Sequence, residues 1–219
     1  MKHRRIPKAT IDRMAVYLEV LENFSRDGAE LVSSDQLAKA CKSNPAQIRK
    51  DLAYFGDFGI RGVGYAVESL KLAIKRALSI DGVWRCALFG AGNLGRALLG
   101  NREFVRRGFH IQAVFDCDPD KLGLRMFHLA VQSPSRLGHI VKEQDIQIGI
   151  ITTPPNRAQR AANHLVEADI KGIVTFAPTR INVPDEVSLQ YVDLFRTFYS
   201  LSFDISLREQ EAAEEQNAD

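Results

Sequence analysis

Long apolar runs, low-complexity segments and paired cysteines are all missing from this 219-residue sequence. No run approaches the roughly 18 apolar residues of a membrane span. The basic residues 1–8 have no apolar stretch behind them, so they do not predict a secretory signal. Cys41, Cys86 and Cys117 are too widely spaced for a disulfide framework or a Cys-x-x-Cys metal site. We therefore expect a protein of the reducing cytoplasm.

Catalytic patterns are also scarce. The five histidines are scattered, and none stands at a known catalytic spacing from a carboxylate or a cysteine. Cys117 is next to Asp116 and is a candidate redox thiol, but no activating neighbour is visible, so a strand-end role is the favoured interpretation. The sequence predicts neither a metal site nor an enzyme.

Charge is unevenly distributed over a composition that is otherwise typical of globular proteins, with 45% hydrophobic and 26% charged residues. Residues 1–80 carry a net charge of +5, whereas residues 81–219 carry −3. A basic N-terminal third favours a polyanionic partner for that third. The alternative is a chance excess of solvated lysines.

Four helices are predicted in the N-terminal third, and the last of them, at residues 67–78, closes the first domain. Apolar spacing predicts the first over residues 8–25. Ser33 and Ser34 are candidate N-caps for a short second helix. After a three-residue connection, Asn44 caps a third helix that runs to about Phe55, and Gln47 completes a capping-box pattern. Two short helices joined by a tight turn indicate a helix-turn-helix motif.

Residues 56–65 contain four glycines among apolar residues, which predicts a hairpin with Arg61 near its tip. A hairpin after a recognition helix is the wing of a winged helix. We predict base-edge contacts on the third helix and phosphate or minor-groove contacts on the wing and the N-terminal arm. The candidates are Asn44, Gln47, Arg49, Lys50 and Tyr54, then Arg61, Lys2, Arg4, Arg5 and Lys8. Taken alone, the residues of the third helix favour an ordinary solvated helix face. The helix-turn-helix spacing, the glycine-rich wing and the basic charge together favour DNA binding instead.

From Val83 onward, short apolar runs alternate with helical segments. This alternation predicts a Rossmann-type doubly wound parallel sheet covered on both faces. The predicted strands are residues 83–89, 111–115, 146–151, 173–176 and 189–192, and the helices are 94–107, 136–143, 156–168 and 194–215. The predicted domains are a winged helix at 1–80, a dinucleotide-binding domain at 81–193, and a helix with an acidic tail at 194–219.

A Gly-x-Gly-x-x-Gly motif follows the first predicted strand and opens a helix, which is the context that dinucleotide binding requires. It comprises Gly90, Ala91, Gly92, Asn93, Leu94 and Gly95. Free N–H groups at the helix N-terminus favour phosphates. Asp116, 21 residues after Gly95, is placed to bind the ribose hydroxyls and to select NAD over NADP. The alternative is a glycine-rich turn whose site is empty or has another use.

A loop at residues 152–155 follows a predicted buried strand. In a Rossmann sheet this loop borders the nicotinamide, so Thr153 and Pro154 are candidate cofactor contacts. The loop offers no acid or base. A dinucleotide site without catalytic groups indicates a sensor.

These motifs together resemble the redox-sensing repressor family Rex, from residue 6 to about 206. The resemblance rests on residues 44–52, 54–56, 61–65, 90–95, 116–119 and 176–178. It implies a homodimer in which a helix at about 194–207 is swapped between subunits. It also implies binding to a palindromic operator when NAD⁺ prevails and release when NADH binds. Arg13 and Asp193 match the family's pair of domain-linking charges.

Several residues near the nicotinamide depart from the family pattern. Asn101 occupies the position where the family has Tyr, and Leu194 replaces a residue that is often aromatic. Thr175 replaces Asn, and Ala168-Asp169 replaces Ala-Gly. We expect a DNA-binding repressor that senses the NADH/NAD⁺ ratio. The alternatives are a similar regulator with another effector or no redox sensing, and an NAD-dependent oxidoreductase.

Overall fold

The change of pattern near Val83 corresponds to a division of the chain into two compact units, Met1–Val83 and Trp84–Asp219. The computed structural model describes residues 6–56, 58–60 and 63–218. Lys2, Arg4, Arg5 and Arg61, which we predict to contact DNA, lie outside these residues.

The first unit packs four helices against a two-stranded antiparallel sheet. Its elements are α1 (Lys8–Arg26), β1 (Leu31–Val32), α2 (Ser34–Ala40), α3 (Pro45–Leu52), β2 (Tyr65–Ala66) and α4 (Val67–Ala77). Met14, Leu21, Leu37, Ile48 and Ile74 are fully buried and form one core that joins α1, α2, α3 and α4. The apolar faces of the four helices therefore pack against one another in this core.

Side-chain caps begin both helices of the helix-turn-helix motif. Ser33 and Gln36 form a reciprocal capping box at α2. At α3, Asn44 Oδ1 accepts from Gln47 N at 2.8 Å, but the Gln47 carboxamide does not return to Asn44. It bonds a carboxylate inside the unit instead, so the predicted capping box is only half present. The helix ends at Leu52, three residues earlier than predicted, because residues 53–55 form turns.

The predicted wing is less regular than a hairpin. In the described part of residues 56–65, one antiparallel bridge joins Ile60 and Gly64, with two N–H···O bonds of 2.9 and 3.0 Å. Gly64 has φ +107°, and a Cβ there would lie 2.6 Å from the Val32 carbonyl oxygen. The glycine is therefore required where the wing approaches β1.

The second unit is a seven-stranded sheet in the order β5-β6-β4-β3-β7-β8-β9, parallel except for β5. The strands are β3 (Trp84–Phe89), β4 (Phe109–Phe115), β5 (Arg125–Met126), β6 (Leu129–Gln132), β7 (Ile148–Ile151), β8 (Gly172–Thr175) and β9 (Ser188–Tyr191). The helices are α5 (Asn93–Gly100), α6 (Arg102–Arg106), α7 (Leu137–Glu143), α8 (Pro155–Glu167) and α9 (Leu194–Ala218). This is the predicted doubly wound arrangement.

Alternate residues of β3 belong to two different cores, as the two-residue period of a strand requires. Ala87 and Phe89 pack in a cluster with residues of α7 and α8, and Cys86 and Leu88 pack in a cluster with residues of α5 and α6. The sheet is thus covered on both faces.

Asn101 divides the helix predicted at residues 94–107. Its backbone is extended, with φ −83° and ψ 108°, and its Oδ1 accepts from Glu103 N at 3.0 Å, so it caps α6. The short pair β5 and β6 was also not predicted. Both features are too short to produce a periodic sequence signal.

Helix α9 exposes large apolar side chains along its first half. Leu194, Phe195, Phe198, Tyr199, Leu201, Phe203, Ile205 and Leu207 are all at least 43% exposed. The backbone of Arg196 donates to Asp193 Oδ1 at 3.2 Å, which caps the helix. Among the described residues, no helix has the length and apolar character needed to cross a membrane.

Candidate dinucleotide and DNA sites

The glycine loop between β3 and α5 leaves room for a ligand at one glycine only. Gly90 has φ +118°, and a Cβ there would lie 2.9 Å from Thr152. A Cβ on Gly95 would lie 2.2 Å from the Gly90 carbonyl oxygen. A Cβ on Gly92 would meet nothing within 4 Å. The first and third glycines allow close packing, and the open space is at the second.

The N-terminus of α5 is suited to an anion. Asn93 and Leu94 begin the helix and are exposed. No side chain caps this end, and the first turn contains no acidic residue. Such an end offers backbone N–H donors and a partial positive charge.

Asp116 lies at the end of β4 and is only 6% exposed. Its Oδ2 accepts from Ala91 N at 2.8 Å and from Lys121 Nζ at 3.1 Å, and its Oδ1 accepts from Asp118 N at 2.9 Å. Burial acts to raise the pKa of Asp116, but these hydrogen bonds outweigh it, so the pKa lies below its usual value. The carboxylate is ionised and ties β4 to the glycine loop.

The loop after β7 adds two threonines. Thr152 Oγ1 donates to the Gly90 carbonyl oxygen at 2.9 Å, which fixes the turn. Thr153 Oγ1 is buried and has no hydrogen-bond partner among the described residues. Pro154 is exposed and precedes α8. The loop after β7 is therefore bonded to the glycine loop through Thr152, and the buried Thr153 hydroxyl next to it in the chain has no protein partner among the described residues.

Among residues 6–56, 58–60 and 63–218, no three His, Cys, Asp or Glu side chains are grouped as metal ligands. Cys117 packs against the core beneath α7 and α8. The described site can bind and orient a ligand, but it presents no acid–base pair.

Two cationic side chains of the helix-turn-helix motif lie on α3. Arg49 and Lys50 are exposed, and Arg49 Nη1 donates to Ser34 Oγ of α2 at 2.8 Å. Gln47 and Tyr54 are half-buried. Asn44, which caps α3, and Lys8, which begins α1, are exposed. The predicted base-contacting residues thus share one short helix and its flanks.

Asp51 is a functional candidate that the sequence analysis missed. It lies on α3 between Ile48 and Leu52, on the apolar side, and is only 1% exposed. Its carboxylate accepts five hydrogen bonds, from side chains of α1 and from Gln47. A carboxylate within the apolar stripe was the available signal, since such a group needs buried partners.

The three predicted switch residues are each engaged within their own unit. Arg13 forms a bidentate ion pair with Asp51, with Nε–Oδ2 at 2.6 Å and Nη2–Oδ1 at 2.7 Å. Asp193 caps α9, and Asn101 caps α6. The pairing of Arg13 with Asp193 stays a prediction.

Comparison with protein-family models matches each part of the chain. Residues 5–53 match a model described as the N-terminus of a putative DNA-binding protein. Residues 81–179 match a CoA binding domain.

Comparison with known proteins gives matches over nearly the full length. The redox-sensing transcriptional repressor Rex of Maridesulfovibrio salexigens is 57% identical over 95% of this chain and 100% of its own. The crystal structure of RSP with β-NAD⁺ and operator DNA superimposes with a TM-score of 0.88 at 32% identity, covering 98% of each chain. RSP with β-NADH gives a TM-score of 0.86 at 30% identity, covering 95% of this chain and 98% of that one.

Proposed function

Because this chain belongs to the Rex family of redox-sensing transcriptional repressors, we propose that it binds operator DNA and is released by NADH. The observation that carries the proposal is the glycine loop, with open space at Gly92 and an uncapped α5 N-terminus. RSP, a Rex-family repressor, has been solved with NADH and with NAD⁺ plus operator DNA.

Each residue of the dinucleotide site has a role in the proposal. The pyrophosphate lies over Gly92 and accepts from the backbone of Asn93 and Leu94. Asp116 accepts from the adenosine ribose, and its negative charge disfavours a 2′-phosphate. Thr153 and Pro154 border the nicotinamide half.

The DNA site follows from charge and exposure. Arg49 and Lys50 read base edges in the major groove, where a guanidinium or ammonium donates to guanine O6 and N7. Lys8 and Arg61 contact phosphates and position the helix. A palindromic operator then requires two copies of α3, related by a two-fold axis.

The apolar side of α9 supplies the dimer contact. A stripe of exposed Phe, Tyr and Leu side chains is unfavourable in water and favours a partner surface. We therefore assign α9 to a homodimer interface. The proposed role is regulatory and not catalytic, and its place is the cytoplasm, where the DNA and the NAD pool are.

A titration of labelled palindromic DNA tests the proposal. The protein is titrated with no dinucleotide, with NAD⁺ and with NADH, and scrambled DNA of equal length is the control. We expect tight binding to the operator, little change with NAD⁺ and release by NADH. Equal binding to both DNAs contradicts the DNA-reading role.

A regulator with another effector is the second candidate. Asn101 and Leu194 are observations in its favour, since both alter the nicotinamide end relative to the family pattern. It predicts operator binding that NADH does not change. The same titration separates it from the first candidate.

A further inference from the structure

We propose that Asp51 is a positioning residue for base recognition: it fixes the direction of the Gln47 carboxamide and thereby selects the base that Gln47 reads. The inference rests on the proposed DNA-binding function.

The hydrogen bonds to Asp51 leave its carboxylate no free acceptor position. Oδ1 accepts from Thr10 Oγ1 at 3.2 Å, from Arg13 Nη2 at 2.7 Å and from Gln47 Nε2 at 2.9 Å. Oδ2 accepts from Arg13 Nε at 2.6 Å and from Tyr17 Oη at 2.8 Å. A carboxylate offers about four lone-pair positions, so five donors saturate it.

Ionisation of Asp51 gives the contact its direction. Burial acts to raise the pKa of Asp51, but hydrogen bonds from Arg13, Tyr17 and Gln47 outweigh it, so the pKa is lowered. An ionised carboxylate only accepts hydrogen bonds. Gln47 must therefore turn its Nε2 toward Asp51, and it cannot turn its Oε1 there without facing another acceptor.

Because Nε2 bonds Asp51, we infer that Oε1, the acceptor, is the Gln47 atom that contacts a base. In the major groove, adenine N6 and cytosine N4 donate hydrogen bonds, whereas guanine O6 and thymine O4 accept them. With Oε1 presented, Gln47 favours adenine or cytosine at the position it reads. A freely rotating carboxamide would suit either kind of base.

Two substitutions separate positioning from simple stabilisation. Asp51→Asn keeps the size of the side chain but can donate as well as accept, so it no longer fixes the direction of Gln47. Tyr17→Phe is the matched control, because it removes one hydrogen bond from Oδ2 and leaves the Gln47 contact in place. Gln47→Ala identifies the base position that Gln47 reads.

The experiment measures affinity for operators substituted one base at a time. We expect the wild type to prefer adenine or cytosine by about tenfold at one position, in the usual range for a side chain–base contact. Gln47→Ala and Asp51→Asn should lose that preference there alone, and Tyr17→Phe should keep it. If Asp51→Asn keeps the preference or weakens all operators equally, or if Gln47→Ala alters none, the inference is overturned.

Wild-type protein provides a test that does not depend on a variant folding. In free protein, one of the two Gln47 Nε2 protons should exchange with solvent measurably more slowly than an exposed glutamine amide, as seen by NMR. Two rapidly exchanging protons overturn the inference. If the wild type does not distinguish operator from random DNA, the proposed function itself fails, which is a different result.

Discussion

Two buried carboxylates, one in each unit, show how differently the two halves of this protein use the same chemical group. Asp51 and Asp116 are 1% and 6% exposed, and the pKa of each is lowered because hydrogen bonds outweigh burial. Asp51 is held by side chains that join α1 to α3. Asp116 is held by two backbone N–H groups and by Lys121, whose side chain is 36% exposed.

The difference concerns what remains available for a ligand. Five donors saturate Asp51, so its role lies within the first unit. Asp116 has only three donors, so its carboxylate keeps acceptor capacity for a ligand hydroxyl. Exposure of the cations does not separate the two networks, because the side chains of Arg13 and Lys121 are 35% and 36% exposed. The saturated network of Asp51, here called the closed carboxylate, favours a fixed α3 for reading DNA. The unsaturated network of Asp116, the open carboxylate, favours exchange of a bound dinucleotide.

The largest effect is expected for Asp51→Ala. The substitution leaves Thr10 and Tyr17 without their acceptor and removes the buried half of an ion pair whose Arg13 side chain is 35% exposed. Because solvent can compensate Arg13 in part, we expect a cost at the lower end of the buried-pair range, about 3 kcal/mol. The measurement is the free energy of unfolding, with hydrogen exchange of α1 and α3 to locate the effect. Asp12→Ala, at an exposed position of α1, is the matched control and should change stability by less than about 0.5 kcal/mol. Equal effects would mean that the network contributes nothing.

Alkaline pH should destabilise the first unit through Tyr17. Burial, followed by the contact with Asp51, raises the pKa of Tyr17 from 10.0 to about 12. The unfolded chain therefore loses its tyrosine proton first, and stability falls as pH rises from 10 to 12. A shift of this size corresponds to roughly 3 kcal/mol. Unfolding of wild type and Tyr17→Phe across this range is the measurement, and parallel pH profiles would contradict the assignment.

Arg49→Ala should weaken operator binding by about 1–3 kcal/mol, because a base contact is lost. It should also reduce the difference in affinity between operator DNA and random DNA. Arg106→Ala, an exposed substitution on α6, is the control and should leave both affinities unchanged. Fluorescence anisotropy at fixed salt gives the numbers. Unchanged operator affinity for Arg49→Ala would remove this residue from base reading.

Much of the fold and of the candidate site could be predicted from short-range sequence patterns. The cap at Asn44 and the spacing of Gly90, Gly92 and Gly95 are short-range patterns, and α3 and the glycine loop occur where those patterns predict them. The doubly wound sheet was predictable because buried strands give apolar runs. Family resemblance added the dimer and the effector, which no periodicity contains.

Contacts that leave no periodic pattern in the sequence explain what was missed, whether the partners are distant or close in the chain. The partners of Asp51 lie 34 to 41 residues away on α1, apart from Gln47, so the sequence shows only a carboxylate in an apolar stripe. The split at Asn101 depends on one side chain that caps a five-residue helix. Lys121 is five residues from Asp116, but only the turn between them brings the charges to 3.1 Å.

Asp116→Ala tests the open carboxylate. It should weaken NADH binding and relax the preference over NADPH, because the like charge facing the 2′-phosphate is removed. Lys121 partly neutralises that charge, so we expect a change of about tenfold, or roughly 1.4 kcal/mol. Calorimetry with both dinucleotides measures it, and Asp120→Ala is the control. Equal wild-type affinities for NADH and NADPH would contradict selection by Asp116.

The smallest effect is expected for Asn101→Tyr, which introduces the residue typical of the family at a position that we predict to lie near the nicotinamide. NAD⁺ and NADH differ by a hydride and by the charge of one ring, so only groups near that ring distinguish them. An effector shifts an equilibrium only through its different affinities for the two states. Operator DNA must then weaken NADH binding by the same factor by which NADH weakens DNA binding.

We expect this coupling factor to be large enough for NADH to release the operator in the wild type, smaller than is usual for the family, and larger in Asn101→Tyr. We predict that Arg13 and Asp193 couple the two units, and on that prediction Arg13 gives up its bonds to Asp51 for a new partner. The saturated Asp51 network opposes that exchange, so it limits the coupling. The measurement is NADH affinity with and without saturating operator, with Asn101→Ala as the control. If operator DNA leaves NADH affinity unchanged in every variant, the sites around Asp51 and Asp116 act independently. The protein then binds the dinucleotide without sensing redox state through it.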